Sequence, residues 1–456
     1  MLPLRPESAE AWPVFTGQVR CAFEGQQPLF ASRGYGAAKI ERSCMTAPGL
    51  DAYAALRNPI VRRFALGRFG AVLGLQMLSV SVGWHLYERT ASAWALGLVG
   101  AVEILPVFLL MPLTGTAADR LPRRRVAAAA HAGIAAATLG LAAASAQGAA
   151  VSTLYALLAL IGAARAFAMP AAATILPRLL TPGEFANANA WVASTFQLAA
   201  VTGPALAGAL IGITGTATAA LAVSAMGQLL FVSQLLRLPE VHPLPSAQRA
   251  GWQGVFDGFR FVRSSPVYLA AITLDLFAVL LGGATALLPI FAKDVLHVGP
   301  VGLGWLRAAP AVGAMLTALV QTRLAPWRHP GRVLLAAVAG YGVATVGLGL
   351  SRHMGLSLAC LFATGVFDSV SVVIRLTLEQ MITPDQLRGR VSAIKSVFVG
   401  FSNEFGAFES GATAALFGPV ASVVGGGIGV IAVVAGIGRA WPELWRLGPL
   451  HSLRPD

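Results

Sequence analysis

The chain has 456 residues, 56% of them hydrophobic and 12% charged, with a formal net charge of +13. Soluble domains carry about 25% charged residues, so this composition excludes one and implies an integral membrane protein. The basic excess is not a nucleic-acid signature, because no Lys/Arg run is interleaved with stacking aromatics and most bases flank apolar stretches.

Residues 1–55 read as a polar cytoplasmic tail that mixes Arg5, Glu7, Glu10, Arg20, Glu24 and Glu41 and holds no apolar run of signal-peptide type. Met45, in Met45-Thr-Ala-Pro-Gly, is expected to serve as a start of translation. A bilayer core about 30 Å thick takes roughly 20 apolar residues per helix, and twelve such runs follow. They are Leu66 to Tyr87, Ala95 to Thr114, Val126 to Ala144, Ser152 to Leu176, Trp191 to Ile213, Thr218 to Leu236, Val267 to Phe291, Val301 to Gln321, Val333 to Leu350, Leu356 to Met381, Val391 to Phe417, and Pro419 to Ala440. The even-numbered connections carry fourteen arginines between Arg120 and Arg390, against Arg89, Lys293 and Arg352 in the opposite loops. Bases collect on the cytoplasmic side of membrane spans, so both termini are expected there.

The connection 238–266 divides the chain into six-span halves, 56–237 and 267–440, and leaves 441–456 as a cytoplasmic tail. It holds Pro239, Pro243 and Pro245, then the basic amphipathic stretch Trp252 to Arg263, which suits a helix lying on the membrane surface. Internal repetition supports the division. Ile175-Leu-Pro-Arg178-Leu-Leu-Thr181-Pro182 after span four is echoed by Leu378-Glu379-Gln-Met-Ile-Thr383-Pro384 after span ten, 202 residues further on.

Charged side chains inside spans are costly, and each marks either a pathway or an ion pair that holds two helices together. Glu103 lies about 12 Å into span two and Asp275 about 12 Å into span seven at 1.5 Å per residue. Each is a candidate proton carrier or substrate ligand, or an acid bonded to a backbone carbonyl. Arg165, near the middle of span four, stays charged at any depth and demands a carboxylate, backbone carbonyls or an anionic substrate. The 202-residue offset carries Arg165 to a position beside Asp368 in span ten, so these two could face one another. Arg375 follows Asp368 by two helical turns on the same face, and both are expected in the cavity. Glu379, four residues later, suits a structural pair near the cytoplasmic rim. Arg307 in span eight needs a partner that the sequence does not name, and span eleven sets Glu404 and Glu409 into a Gly-rich helix.

Between spans two and three stands Gly115-Thr-Ala-Ala-Asp119-Arg120-Leu-Pro-Arg123-Arg124-Arg125. Its G-x-x-x-D-R-x-x-R-R pattern resembles the loop between helices 2 and 3 of the major facilitator superfamily of transporters, with Pro122 where that family usually has Gly. Arg165 followed by small residues is similar to the family's fourth-helix motif, although Pro170 replaces part of its Gly-rich tail. Val201-Thr-Gly203-Pro204-Ala-Leu-Ala-Gly208 resembles its exporter motif, from which Ala199 and Ala207 depart. The region from Arg388 to Gly429 is similar to the branch that contains the enterobactin exporter, and the likeness covers Leu56 to Ala440. This resemblance implies an all-α membrane protein, with twelve transmembrane helices in two pseudo-symmetric six-helix bundles and substrate held near the midplane between them. It implies a bacterial inner-membrane location and a monomer. It further implies that Gly115, Asp119, Arg120, Arg123 and Arg124 form a conformational latch, with Asp119 meeting the start of span eleven near Arg388 or Arg390. Gly203, Pro204 and Gly208 would then make a bend where the halves meet. The second-half counterpart near Gln321 keeps bases but lacks the acid, so the latch is one-sided.

The expected activity is export of a small amphipathic molecule, such as a siderophore or drug-like compound, driven by proton influx through Glu103, Asp275 or Asp368. A proton-coupled importer or a lysophospholipid-type transporter fits the same residues. A membrane-embedded enzyme or sensor would need a nucleophile, metal site or paired acids at one rim, and no such cluster stands out. The three cysteines are far apart without a C-x-x-C pair, and the seven His form no H-x-x-x-H, so neither a metal nor a cofactor is expected. None of the three lysines follows Gly, which excludes a G-K-[ST] phosphate loop. The expected partners are the small-molecule substrate, protons and the lipid bilayer.

Overall fold

The structure is a computed structural model that describes residues 53–240, 259–324, 327–384 and 387–448, with the backbone alone described at 111–112, 115–116, 118–120, 182, 393 and 397. The described residues form twelve long helices: α1 Pro59–Thr90, α2 Ala93–Arg120, α3 Arg123–Ala146, α4 Val151–Ala173, α5 Pro182–Thr214, α6 Thr218–Leu236, α7 Pro266–Leu281, α8 Gly299–Gln321, α9 Pro330–Leu350, α10 Met354–Ile382, α11 Arg388–Phe417 and α12 Pro419–Ala440. Their starts carry recognisable signals. Asn58 opens α1 by accepting the Ile60 N–H at 3.0 Å, with Pro59 at the first helical position. Thr181 and Glu184 make a reciprocal capping box at the head of α5. The echoing Thr383-Pro384 stands where α10 ends.

Among the described residues eleven segments are long and apolar enough to cross a membrane, α7 counting together with the turns that follow it as far as Val295. The exception is α11, whose apolar run is diluted by Asn403, Glu404 and Glu409. Two expectations change. The segment Gly115 to Arg125 is not a loop: α2 runs on through Arg120, α3 begins at Arg123, and only Leu121 and Pro122 separate them. Arginine side chains can snorkel to the headgroup layer, so a helix continues past the point where its apolar pattern stops. Span seven is not continuous either. It stops at Gly282 and Gly283, and the chain proceeds through a 3-10 turn Ala284–Leu287, a short helix Leu288–Ile290 and a π-turn Phe291–Val295. Tyr341 of α9 donates to the Gly282 carbonyl at 3.1 Å, satisfying a backbone group that the break exposes. Of the connection 238–266, only the part before residue 241 and residues 259–266, helical over 259–264, are described, so the expected surface helix from Trp252 lies mostly outside the described residues, as does the tail 1–52.

In the first half α1 packs on α5 and α6, α3 on α4 and α6, and α2 on α4. In the second half α7 packs on α11 and α12, α8 on α10, and α9 on α10 and α12. The halves meet along two seams, α2 with α11 and α5 with α8. Lipid offers no hydrophobic drive for helix association, so close backbone approach through small residues takes its place. A Cβ on Gly227 would lie 2.3 Å from the Gly70 carbonyl oxygen, and one on Gly427 would lie 2.7 Å from that of Gly342. Buried polar groups stitch the first half: His131 Nδ1 lies 2.8 Å from Gln228 Oε1, and Gln228 donates to the Ala71 carbonyl at 2.7 Å.

Candidate functional site

Two glycines determine where charges meet in the middle of the molecule. Gly162 of α4 sits so close to α2 that a Cβ there would be 2.2 Å from the Glu103 carbonyl oxygen. A Cβ on Gly100 of α2 would be 2.5 Å from the Glu404 carbonyl oxygen of α11. With these approaches allowed, Arg165 forms an ion pair with Glu103 in its own half and reaches Glu404 in the other half at 3.6 Å. Arg307 of α8 lies within electrostatic reach of Glu404, and its buried Nε has no hydrogen-bond partner. Two carboxylates therefore meet the Arg165 guanidinium where the halves join, with the Arg307 cation of α8 as a further charge near Glu404. An aromatic row flanks them along the same seam, with ring centroids 5.6 Å apart for Trp94 and Phe408, 5.1 Å for Phe401 and Phe405, and 5.7 Å for Phe108 and Phe401.

A second group of charges lies wholly in the second half. Arg375 of α10 pairs with Asp275 of α7 and has Asp368 at 3.8 Å. Lys395 of α11 pairs with Glu379. Asp275, Asp368, Arg375 and Lys395 all border one cavity of about 270 Å³ between α7, α10 and α11. The structure thus joins Asp275, Asp368 and Arg375, and separately Glu103 and Arg165. It does not join Arg165 to Asp368: the offset of the repeat relates positions that are equivalent in the two halves, whereas the contact partner is chosen by the crossing of α2 with α11. Glu379 does belong to a structural pair. Glu404, Arg307 and Lys395 are the members that sequence reasoning leaves without partners. Their signal was a charged residue within an apolar helix.

At one end of the molecule the two halves touch backbone to backbone. A Cβ on Gly411 of α11 would lie 2.3 Å from the Gly97 Cα of α2, and one on Gly208 of α5 would lie 2.5 Å from the Pro300 carbonyl oxygen of α8. Gly304 of α8 in turn approaches the Pro204 carbonyl, so the Gly203-Pro204-Gly208 segment does lie on an inter-half seam, with Gly203 itself facing Gln76 of α1. At this end Tyr87 of α1 donates its hydroxyl to Asp294, and Lys293 stands 5.7 Å over the Tyr87 ring.

At the opposite end Arg124 donates to the Leu238 carbonyl at 2.5 Å and the Leu236 carbonyl at 3.4 Å. Arg125 Nε lies 2.7 Å from Glu240. These are the orphan carbonyls at the end of α6 and the acid that follows, so the cations complement the helix terminus. Arg124 is thereby engaged within its own half. The side chains of Asp119 and Arg120, on which the expected latch turns, lie outside the described residues, and Gly115 is described by its backbone alone.

Comparison with known proteins agrees with this architecture. A sequence profile described as Major Facilitator Superfamily matches residues 64–407. The enterobactin exporter EntS of Shigella dysenteriae serotype 1 is 26% identical over 377 residues, covering 82% of this chain and 90% of that protein. Among solved structures, a bacterial homologue of the human lysosomal transporter Spinster, inward-facing and occupied, superposes with a TM-score of 0.68 at 14% identity, covering 85% of this chain and 98% of that one. The peptide transporter POT in complex with sulfate gives a TM-score of 0.64 at 14% identity, covering 86% and 96%.

Proposed function

Because this chain belongs to the major facilitator superfamily, in the branch of the enterobactin exporters, we propose that it exports a small amphipathic molecule, of siderophore or drug-like type, in exchange for protons. As a member of that superfamily it is a multi-pass membrane transporter and not an enzyme. The observation that carries the proposal is the bridge of Arg165 to Glu103 on one side and Glu404 on the other. A charge pair that spans two rocking bodies is costly to separate in a low-dielectric interior. A proton arriving on Glu404 removes that cost, and Arg165 remains paired with Glu103. Release of the halves is then tied to protonation, as alternating access requires.

The arginine bias of the loops supports a sealed end that faces outward and termini in the cytoplasm of a bacterial inner membrane, so this state opens inward to collect cargo. Asp119 serves as the latch of the alternate state, with the start of α11 as its partner. The chain works as a monomer, since one copy supplies both halves. The test is efflux of a fluorescent substrate in inverted vesicles with and without a pH gradient. Export coupled to protons requires accumulation that collapses with the gradient. Accumulation that survives its collapse refutes proton coupling, and uptake in the opposite sense identifies an importer. Asp119→Asn should lower turnover while leaving substrate affinity nearly intact, and unchanged turnover refutes the latch.

A further inference from the structure

The cavity between α7, α10 and α11 offers its contents an unequal set of polar groups. Both of its cations are already engaged: Arg375 pairs with Asp275 and donates from Nε to the Ser371 carbonyl at 3.3 Å, and Lys395 pairs with Glu379. The Tyr268 hydroxyl is buried away from the space and has no hydrogen-bond partner among the described residues. The remaining polar groups that border the cavity offer mainly acceptors. Asn403 donates its amide to the Val399 carbonyl at 2.8 Å, which leaves the side-chain carbonyl oxygen open, and Ser402 spends its proton on the Phe398 carbonyl at 2.7 Å. Asp368 is the decisive member. It stands near the middle of the 29-residue α10, yet its side chain is 52% exposed, against 15% for Asp275 and 14% for Arg375. Its one ionic contact is the second guanidinium nitrogen of Arg375 at 3.8 Å, longer than a charge-assisted hydrogen bond of about 2.8 Å. A half-exposed carboxylate at mid-membrane is tolerated where it faces a polar or water-filled space, and this one faces the cavity. Around it the wall is apolar, with Ile272, Leu276, Val372 and Phe398.

We propose that this cavity is a binding site for an amphipathic organic cation, whose ammonium group rests on Asp368 and Asn403 and whose apolar body lies against Phe398 and its aliphatic neighbours. The assignment rests on the transport reading above and names the substrate class for it. An anion would be repelled by the Asp368 carboxylate while the cations beside it are already paired with Asp275 and Glu379, and a neutral molecule would leave that carboxylate without a counter-charge. At about 270 Å³ the space suits a bicyclic arene with a short amine arm.

The test uses the full-length protein in lipid nanodiscs and three probes of one shape, 2-naphthylmethylamine, 2-naphthylmethanol and 2-naphthoate, with binding measured calorimetrically. The amine should bind at least about tenfold tighter than the alcohol, and the carboxylate weakest. Asp368→Asn should reduce the amine to the affinity of the alcohol, whose unchanged binding shows that the cavity is still formed. Asp368→Glu should keep the preference for the amine. Should Asp368→Asn fail to fold, Asn403→Leu is the substitute, with a several-fold loss for the amine alone. A wild type that prefers the carboxylate, or an Asp368→Asn protein that keeps the full preference for the amine, overturns the assignment. Proteoliposome transport separates the two readings. Selective amine binding with no transport in either direction leaves the site and removes the exporter, whereas proton-driven efflux of other dyes without any amine preference does the reverse.

Discussion

The seam where Gly411 meets Gly97 can be forced open by one methyl group. In Gly411→Ala the new carbon would sit 2.3 Å from the Gly97 Cα, 2.6 Å from its nitrogen and 2.9 Å from the Ala93 carbonyl oxygen. All three neighbours are backbone, so no side-chain rotation relieves the contact. Ordinary van der Waals contact begins at 3.4 Å, and α2 and α11 must therefore part by more than 1 Å. Overpacking of this kind costs about 1–3 kcal/mol. In a soluble core that would be lost stability. Under the alternating access proposed above the contact belongs to one of two states, and the same energy shifts their ratio by roughly 5- to 150-fold towards the state in which the seam is open. Spin labels on Glu88→Cys and Phe417→Cys, both exposed and on opposite halves, report the separation in a background lacking Cys21, Cys44 and Cys360. Pulsed dipolar spectroscopy should show a longer distance gaining population in Gly411→Ala. Gly436→Ala should leave the distribution alone, because nothing lies within 4 Å of its added carbon. An unchanged distribution in a folded Gly411→Ala protein refutes the reasoning, and loss of the folded protein shows that the seam is permanent structure.

Three further outcomes follow from the same geometry. Glu404→Gln removes the group proposed to take the proton, so efflux in vesicles should lose its dependence on the pH gradient while Arg165 stays paired with Glu103; a gradient dependence equal to that of the wild type moves the coupling elsewhere. Tyr87→Phe deletes the hydroxyl bonded to Asp294 and should weaken closure by about 1–2 kcal/mol, seen as a roughly 5- to 30-fold shift in the same distance measurement; no shift removes Tyr87 from the gate. Arg124→Ala leaves the carbonyls at the end of α6 without their donor and should lower unfolding stability by about 1–2 kcal/mol, measured in mixed detergent titrations, with inter-half distances unchanged; altered distances with intact stability would make Arg124 part of the latch after all.

Which charges lie inside the helices was legible, and which of them meet was not. Glu103, Arg165, Asp275, Asp368 and Arg375 stood out because a charge at membrane depth is too costly to be casual. Their grouping follows from helix crossings that a linear pattern does not encode. Gly100 and Gly162 look like any small residues of a membrane helix, yet they bring α11 and α4 onto α2. That approach decides that Arg165 reaches Glu404 and not Asp368, a choice outside what the repeat offset encodes.

The amino-acid sequence by itself determined the membrane class, the twelve helices in two bundles and the charges set within them, because each of these is written in local composition and in the cost of burying charge. The tertiary structure alone decided four things: the break of α7 at Gly282 and Gly283, the contact of Gly97 with Gly411, the bridge of Arg165 to both halves, and the exposure of Asp368 to a cavity. Each depends on residues far apart in the chain whose distance is set by how closely backbones can approach, and that distance is a property of packed helices and not of any one segment.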